Sequence, residues 1–305
     1  MKISIIGYKN HALRLKSILN KLGYRDILTY NHHRDKIRSL NDSDVYFISS
    51  PNDSHIDWIL KLQEFDKYIY CEKPPATNLK DLNIIKKLAN EKLYFNFNYR
   101  HTLFAKTIIK NTTSQEYGKL LYIHFISTHG LAFKKSFQEN WRFFGKNLFS
   151  SIIGNVGIHY VDLVGYICGG IEEIKIQSNS IISNKLPDTA NIKIYTKKCH
   201  SDIFISYAAP FKNEATAIFE NSIVEFTNGK VCIQEPRDTY DRTGRFAPAK
   251  KRNLFKRFKN TKSYYDDSLE QSIIYFLDMV DRKSLVPKDE QIRSFESCEM
   301  LLNSI

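Results

Sequence analysis

The chain contains 305 residues, with 45 Lys and Arg against 33 Asp and Glu, and 42% of its residues are hydrophobic. This apolar content excludes a disordered chain, which could not bury enough surface to offset the entropy lost on ordering. At about 150 residues per domain, the length predicts two domains. No apolar run reaches the roughly 18–20 residues that cross a bilayer, and the apolar stretch at 3–6 is too short for a signal peptide. We therefore expect a cytoplasmic protein with no transmembrane segment.

The cysteines give no sign of a disulfide framework or a zinc ribbon. Their number is odd, they are far apart in the sequence, and no two form a C-x-x-C pair. They are Cys71, Cys168, Cys199, Cys232 and Cys298. We expect neither structural disulfides nor a metal site.

The first part of the chain alternates apolar strands with amphipathic helices. Apolar residues recur at helical spacing from Ala12 to Leu22, and Gly23 ends that helix. The same analysis predicts strands at 3–6, 27–30, 45–48, 68–71 and 93–98, and helices at 12–22, 54–62 and 79–91. Strands that alternate with helices of about ten residues form parallel sheets through βαβ units. Residues 1–118 are therefore predicted to form a doubly wound, Rossmann-type α/β domain that binds a dinucleotide.

The order of elements changes in the second part of the chain. One predicted helix at 158–168 is followed by five strands without intervening helices, at 171–179, 190–196, 203–208, 215–219 and 223–227. Consecutive strands of this kind pair antiparallel. Helices at 269–281 and 291–302, separated by Pro287, close the chain. Residues 119–305 are predicted to form an α+β domain with a mostly antiparallel open sheet, and the closing helices are free to pack back on the first domain.

The turn after the first strand is a candidate cofactor site. A dinucleotide-binding turn has the pattern G-x-G-x-x-G/A, in which glycines let the backbone approach a pyrophosphate at a helix N-terminus. Residues 7–12 are Gly-Tyr-Lys-Asn-His-Ala, so the first glycine is present and the third position holds the accepted alanine. Lys9 replaces the central glycine, and its ammonium group can contact phosphate instead. Alone, the motif also fits an ordinary strand–helix turn.

The residues after the second strand bear on the choice of cofactor. NAD-selective sites usually place a carboxylate there, on the ribose 2′-hydroxyl, but residues 31–34 are Asn-His-His-Arg with no acidic side chain. Asn31, His32 and Arg34 would tolerate or favour a 2′-phosphate, so NADP is slightly favoured over NAD. Exposed loop residues without a cofactor role are the alternative interpretation.

Four further motifs resemble those of the Gfo/Idh/MocA oxidoreductases, the family of glucose–fructose oxidoreductase and inositol dehydrogenase. Residues 50–55 (Ser-Pro-Asn-Asp-Ser-His) resemble its T-P-x-x-x-H turn, residues 72–74 its E-K-P turn, and residues 98–100 (Asn-Tyr-Arg) its N-x-R segment. Residues 155–162 (Asn-Val-Gly-Ile-His-Tyr-Val-Asp) resemble its D-x-G-x-H-x-x-D motif, with Asn155 in place of the first aspartate. The resemblance covers essentially the whole chain. It implies an NAD(P)-dependent oxidoreductase whose open sheet forms a homodimer or homotetramer.

The resemblance and the strand ends together define candidate site residues. Lys73 follows a central strand, at the edge where ligands bind in open α/β sheets, and His159 can accept the proton of a hydroxyl group while hydride leaves the same carbon. The predicted catalytic residues are Lys73, His159 and Asn155. The predicted cofactor-binding residues are Gly7, Lys9, Asn10, His11, Asn31, His32, Arg34, Ser50, Pro51, Asn52, His55, Glu72, Lys73 and Pro74. The predicted substrate-binding residues are Arg100, Trp141, Arg142, Asn155 and His159.

Simpler interpretations exist for several of these residues. Lys73 also fits an exposed turn lysine, His159 a structural histidine and Trp141 a core residue. Arg100 is chosen because a guanidinium binds a carboxylate or phosphate through two hydrogen bonds.

The positive charge of the chain is concentrated in one segment. Residues 242–262 contain nine Lys or Arg and no acidic residue, and the rest of the chain has 36 basic and 33 acidic residues, a net charge of +3. Such a segment can bind nucleic acid, an acidic membrane surface or substrate phosphates, or it can be a solvated loop without a partner. Repulsion among the nine charges predicts a mobile loop outside any core. Nucleic acid is the least favoured partner, because no nucleic-acid-binding fold is recognised.

These observations predict hydride transfer between a nicotinamide cofactor and a secondary hydroxyl or keto group of a sugar. A nucleotide-linked sugar is favoured, because the basic segment offers charge for a diphosphate. The departures at Lys9 and Asn155 favour an alternative, in which the protein binds cofactor but is catalytically weak or inactive and has a scaffold or regulatory role.

Overall fold

The computed structural model describes residues 1–31, 42–138, 147–183, 185–235, 240–247, 249–254 and 264–305. The chain forms two compact units. The first comprises Met1–Phe97 and Glu270–Leu302, and the second comprises Asn98–Leu269 and Asn303–Ile305. The sequence predicts a domain boundary at residue 118. In the structure, residues 98–118 pack with the second unit. No helix in the described ranges is long and apolar enough to cross a membrane.

The first unit is built on a five-stranded parallel sheet in the order β2-β1-β3-β4-β5. The strands are β1 (Ile3–Ile6), β2 (Ile27–Tyr30), β3 (Val45–Ile48), β4 (Tyr68–Glu72) and β5 (Leu93–Asn96). The helices are α1 (Asn10–Lys21), α2 (His55–Gln63) and α3 (Leu79–Leu88). Apolar runs buried on both faces are what a parallel sheet covered by helices requires, and β1 and β3 are buried at every residue. The predicted Rossmann-type arrangement is confirmed.

A segment from the end of the chain completes the core of the first unit. This segment contains most of α7 (Tyr264–Asp281) and of α8 (Lys288–Asn303). The Phe276 ring packs edge-on against Phe47 and Tyr70, with centroids 5.6 and 5.3 Å apart. Beside these rings, the buried Ser272 hydroxyl donates to Asn96 Oδ1 at 2.7 Å and lies 3.0 Å from the Tyr94 hydroxyl. The aromatic rings of the central strands are therefore covered by residues roughly 180–230 positions later in the chain.

The second unit contains an eight-stranded sheet in the order β13-β12-β11-β10-β6-β9-β8-β7. Its strands are β6 (Leu120–Thr128), β7 (Glu173–Asn179), β8 (Thr189–Tyr195), β9 (His200–Ser206), β10 (Lys212–Phe219), β11 (Ile223–Thr227), β12 (Lys230–Gln234) and β13 (Lys251–Asn253). Its helices are α4 (Leu103–Ser114), the short α5 (Lys135–Gln138) and α6 (Ile158–Cys168). All pairings are antiparallel except that of β6 with β9. The predicted mostly antiparallel sheet is confirmed, whereas α4, α5, β6, β12 and β13 were not among the predicted elements.

Part of the basic segment is an edge strand. The expectation of a loop is wrong for Lys251–Asn253, which pairs with β12 as β13. Acidic residues near the strand offset its charge: Lys251 Nζ lies 2.5 Å from the Glu225 carboxylate, and Arg252 pairs with Glu235. Residues 255–262 of this segment lie outside the described residues.

Candidate active site

The turn after β1 brings the chain unusually close to the turn after β3. Gly7 has φ +141°, and a Cβ atom there would lie 2.5 Å from Ser49 Oγ and 2.9 Å from the Ser49 carbonyl oxygen. Only glycine fits this position. Lys9, by contrast, has an extended backbone with φ −87° and occupies the N-cap position of α1 without a capping hydrogen bond from its side chain, so the turn needs no glycine there.

The residues around the start of α1 fit an anionic group such as a pyrophosphate. The first turn of α1 contains no acidic residue, and the exposed Lys9 and Asn10 lie at its N-terminal end. Unpaired backbone N–H groups and the helix dipole favour negative charge at such an end. The lysine adds a full positive charge that the usual glycine does not provide.

Glu72 connects this turn to the end of the neighbouring strands. Its Oε1 atom lies 2.6 Å from His11 Nε2 and accepts a hydrogen bond from Asn96 Nδ2 at 2.8 Å. Burial raises the pKa of Glu72, but the charge of His11, the hydrogen bonds from His11 and Asn96, and the charge of Lys73 outweigh it, so the pKa is lowered. Glu72 is therefore ionised at neutral pH, and it holds the His11 ring at the start of α1.

His55 joins the turns that follow β3 and β4. Its Nδ1 atom lies 2.9 Å from the Pro74 carbonyl oxygen and its Nε2 atom 3.2 Å from the Ser50 carbonyl oxygen. Burial lowers the pKa of His55, which keeps the ring neutral near pH 7. The side chain has no exposed surface, so His55 acts by fixing these turns. The Lys73–Pro74 bond between them is cis.

The structure brings most of the predicted cofactor residues to one edge of the parallel sheet. The strands run parallel, so the residues that follow them lie at the same edge. Those found there are Gly7, Lys9, Asn10, His11, Asn31, Ser50, Pro51, Asn52, Glu72, Lys73 and Pro74. Two further predicted cofactor residues, His32 and Arg34, lie outside the described residues.

Two glycines shape the segment that leads into α6 in the second unit. A π-helical turn at Ile153–Gly157 precedes the helix. A Cβ atom on Gly154 would lie 2.0 Å from the Phe149 carbonyl oxygen, and one on Gly157 would lie 2.8 Å from Ile192 Cδ1. The Phe149 carbonyl belongs to the backbone, so Gly154 is required for this turn to pack before the helix that carries His159, whereas at Gly157 the end of the Ile192 side chain would have to move.

Asn155 secures the same turn. Its Nδ2 atom donates hydrogen bonds to the carbonyl oxygens of Ser150 and Ser151, both at 2.9 Å. Because both carbonyl oxygens are acceptors, the amide nitrogen of Asn155 and not its oxygen must face them. An aspartate would place carboxylate oxygens against two carbonyl oxygens. The asparagine therefore fits its surroundings in this chain better than the family's aspartate would.

We expect Asn155→Asp to destabilise the protein by roughly 1–3 kcal/mol at pH 7, because a carboxylate would face the Ser150 and Ser151 carbonyl oxygens in place of the amide donor. Urea unfolding measures the loss, and it should shrink at acidic pH as the new carboxyl becomes protonated. Asn221→Asp, on an exposed turn of the same unit, is the control and should change the stability by less than about 0.5 kcal/mol. Equal effects of the two substitutions would contradict the assigned role of the amide.

Arg100 forms a buried ion pair with Asp162. Its Nε atom donates to Asp162 Oδ2 at 2.8 Å and its Nη2 atom to Oδ1 at 2.5 Å, and the two side chains are 4% and 1% exposed. The guanidinium also lies 4.6 Å from the centre of the Tyr166 ring. These contacts account for the burial of Arg100 without a substrate, so its predicted substrate contact stays a prediction.

The role of Asp162 was missed by the sequence analysis, although a signal was present. It is the one acidic residue in the apolar stretch Ile158–Cys168. A carboxylate buried in such a helix needs a charged partner. The Arg100 motif, 62 residues earlier, supplies it.

The remaining candidates belong to the second unit. His159 lies in the first turn of α6, and its ring stacks on that of Tyr99 with centroids 4.4 Å apart. Arg100, Asn155 and His159 thus all lie on or against α6 and the turn before it, while Lys73 belongs to the first unit. Trp141 and Arg142, predicted to bind substrate, lie outside the described residues.

Both halves of the chain match sequence models of one protein family. Residues 7–95 match the oxidoreductase family with an NAD-binding Rossmann fold. Residues 105–231 match the GFO/IDH/MocA C-terminal domain. Among characterised proteins, glucose-6-phosphate 3-dehydrogenase from Bacillus subtilis is 26% identical over 245 residues, which cover 73% of this chain and 67% of that protein.

Solved structures show the same fold across the whole chain. Levoglucosan dehydrogenase in complex with NADH and levoglucosan has a TM-score of 0.79 at 14% identity, covering 100% of this chain and 96% of the other. An inositol dehydrogenase homologue from Azotobacter vinelandii in complex with NAD⁺ has a TM-score of 0.75 at 13% identity, covering 100% and 95%. The two sequence matches confirm the predicted family and the predicted class of enzyme, an NAD-dependent oxidoreductase. The chain is a member of the Gfo/Idh/MocA oxidoreductase family.

Proposed function

We propose that the protein transfers a hydride between a nicotinamide dinucleotide and a secondary hydroxyl or keto group of a sugar. The observation that carries this proposal is the family match in both units, with Lys73 and His159 at the motif positions. The named relatives are a glucose-6-phosphate 3-dehydrogenase, a levoglucosan dehydrogenase and an inositol dehydrogenase homologue, which supports a polyhydroxylated substrate. A cytoplasmic homodimer or homotetramer, formed through the open sheet, remains part of the proposal.

The residues of the first unit would bind the cofactor. The start of α1 and Lys9 would hold the pyrophosphate, because they offer backbone donors and positive charge, and the first turn of the helix has no acidic residue. Residues 31–34 would face the ribose, and the absence of an acidic residue among them favours a 2′-phosphate. When bound, the nicotinamide supplies or accepts the hydride. Glu72 and His55 would keep the three turns in place through the hydrogen bonds described above.

His159 and Lys73 would handle the proton and the charge on oxygen. In the oxidation direction, a neutral His159 would accept the hydroxyl proton as the hydride leaves, and in the reduction direction its protonated form would return it. The Lys73 ammonium would stabilise negative charge on the same oxygen. We assign no proton transfer to Asn155, because an amide is not an acid or base at neutral pH and both its N–H groups bind backbone carbonyls.

Two classes of sugar substrate are part of the proposal. Lys251 and Arg252, two cations of the segment expected to bind a diphosphate, are paired with glutamates. We therefore do not assign phosphate binding to them. A sugar phosphate and a nucleotide-linked sugar both stay in the proposal as substrates to test.

A second candidate is a family member that binds cofactor without turnover. It is favoured by Asn155, whose amide has a structural use where the family pattern has a carboxylate. The two candidates differ in whether any sugar is oxidised.

We expect NADPH to bind at least as tightly as NADH, since no carboxylate is present among residues 31–34 after β2. Fluorescence titration of both nucleotides measures the dissociation constants. Turnover is then followed at 340 nm with glucose 6-phosphate, levoglucosan, inositol and UDP-glucose. A preference for NADH of tenfold or more, about 1.4 kcal/mol, would contradict the role given to residues 31–34. Tight cofactor binding without turnover on a wide sugar panel would favour the second candidate.

A further inference from the structure

The Asn98-Tyr99-Arg100 motif forms a rigid 3₁₀ turn against α6. The Tyr99 carbonyl accepts a hydrogen bond from Thr102 Oγ1 at 2.8 Å, and Asn98 Nδ2 donates to Ser268 Oγ at 2.7 Å. Asn98, Tyr99 and Arg100 are all buried. The turn is therefore held from both ends and has little freedom to change shape.

Tyr99 places an aromatic ring directly against His159. The two rings are stacked, with an interplanar angle of 19° and centroids 4.4 Å apart. On another side, Tyr160 packs edge-on against Tyr99 at 5.2 Å, and Phe125 of β6 packs against Tyr160 at 4.9 Å. A stacked imidazole cannot tilt out of the plane of its neighbour without losing the contact. Tyr99 thus limits the orientations of the His159 ring.

The neighbouring ion pair fixes how the turn sits along the helix. Arg100 donates two hydrogen bonds to Asp162. Asp162 lies three residues after His159, on the same face of the helix. A bidentate pair of buried groups has one geometry. Tyr99 therefore meets His159 at a fixed position along α6.

We propose that Tyr99 is a positioning residue for His159, whose imidazole it holds in one plane, with the Arg100–Asp162 pair keeping Tyr99 in register. The inference rests on the proposed role of His159 in proton transfer. Neither Tyr99 nor Asp162 was assigned a role by the sequence analysis, and the motif that contains Tyr99 was used there only for family resemblance and for Arg100.

The test compares Tyr99→Phe, which keeps the ring, with Tyr99→Leu, which fills the space without one. Tyr99→Met is a second ringless variant in case the leucine chain does not fold. The first readout is the position of the His159 ring protons in ¹H–¹³C spectra of histidine-labelled protein, assigned by their disappearance in His159→Gln. Stacking should shift these protons upfield in the wild type and in Tyr99→Phe. The ringless variants should lose this shift.

The second readout is turnover with the best substrate and cofactor of the panel above. The ringless variants should lower kcat at least tenfold, because small displacements of an acid–base group are costly. The KM for the cofactor should stay unchanged, and Tyr99→Phe should keep nearly full activity. A ringless variant that loses the upfield shift but keeps the wild-type kcat would overturn the inference.

His159→Gln separates failure of this inference from failure of the proposed function. If His159→Gln keeps wild-type turnover, the proton-transfer role of His159 is wrong, and the inference falls with it. If His159→Gln is inactive and the ringless variants are not, the proposed function stands and only the positioning role is overturned.

Discussion

Replacement of His159 by alanine should lower kcat by about two orders of magnitude, and replacement of Lys73 by alanine should do the same. The imidazole is assigned the proton of the reacting hydroxyl and the ammonium the charge on the same oxygen. Loss of either leaves the hydride step without a group that acts in the transition state. The loss should therefore be largely in kcat, and for His159→Ala the cofactor affinity should be largely unchanged.

The controls for these variants are residues of the same type on the surface. His200→Ala removes an exposed histidine from the second unit and Lys80→Ala an exposed lysine from the first. Both should turn over like the wild type. Steady-state kinetics in both directions, with cofactor binding measured separately, decides the outcome. Wild-type turnover by both His159→Ala and Lys73→Ala would show that the site has been wrongly assigned.

The largest loss of stability is expected for Asp162→Ala, which should lower the free energy of unfolding by about 3–5 kcal/mol. The substitution leaves the guanidinium of Arg100 buried without its carboxylate. Removal of both charges should be far less harmful. The double variant Arg100→Met with Asp162→Leu should recover most of the loss, because apolar groups of similar volume need no partner.

Urea unfolding followed by far-ultraviolet circular dichroism measures these changes, and hydrogen exchange of the α6 amides locates them. Glu173→Ala, which removes an exposed partner of Lys175 in the same unit, is the matched control and should cost less than about 1 kcal/mol. If Asp162→Ala cost no more than Glu173→Ala, the buried pair would not be the anchor that its geometry indicates.

The elements that pack by simple periodicity were predictable from the sequence. The helix at Ile158–Cys168 has the predicted bounds, and all five strands of the parallel sheet lie where apolar runs indicated them. Strand β6 was missed although the alternate residues Ile123, Phe125 and Ser127 are buried, a pattern that the sequence contains. Strand β13 could not be predicted in this way, because Lys251–Asn253 has no apolar residue and pairs where nearby glutamates balance its charge.

The positions of the candidate residues in the fold were predictable from the sequence, but most of their side-chain contacts were not. The motifs put Glu72, Lys73 and Pro74 at a strand end, where the structure has them. They could not show that Arg100 faces Asp162, or that the Asn155 amide faces two backbone carbonyls. The buried position of Asp162 in an apolar helix indicates that a charged partner exists, but which residue supplies it is set by how the second unit folds around α6.

The final helices belong to the first unit, which constrains the order in which the core of that unit can be completed during synthesis. The five strands of its sheet are complete at Asn96, but Ser272 and Phe276, which cover Tyr70 and Tyr94, are made about 180 residues later. At a synthesis rate of roughly 5–20 residues per second, the ribosome needs about 10–35 s to add that length. During this time the second unit emerges before Ser272 and Phe276 are available to cover the aromatic rings of the first. The first unit can therefore complete its core only at the end of synthesis, and we expect a chaperone that meets the nascent protein to contact this sheet.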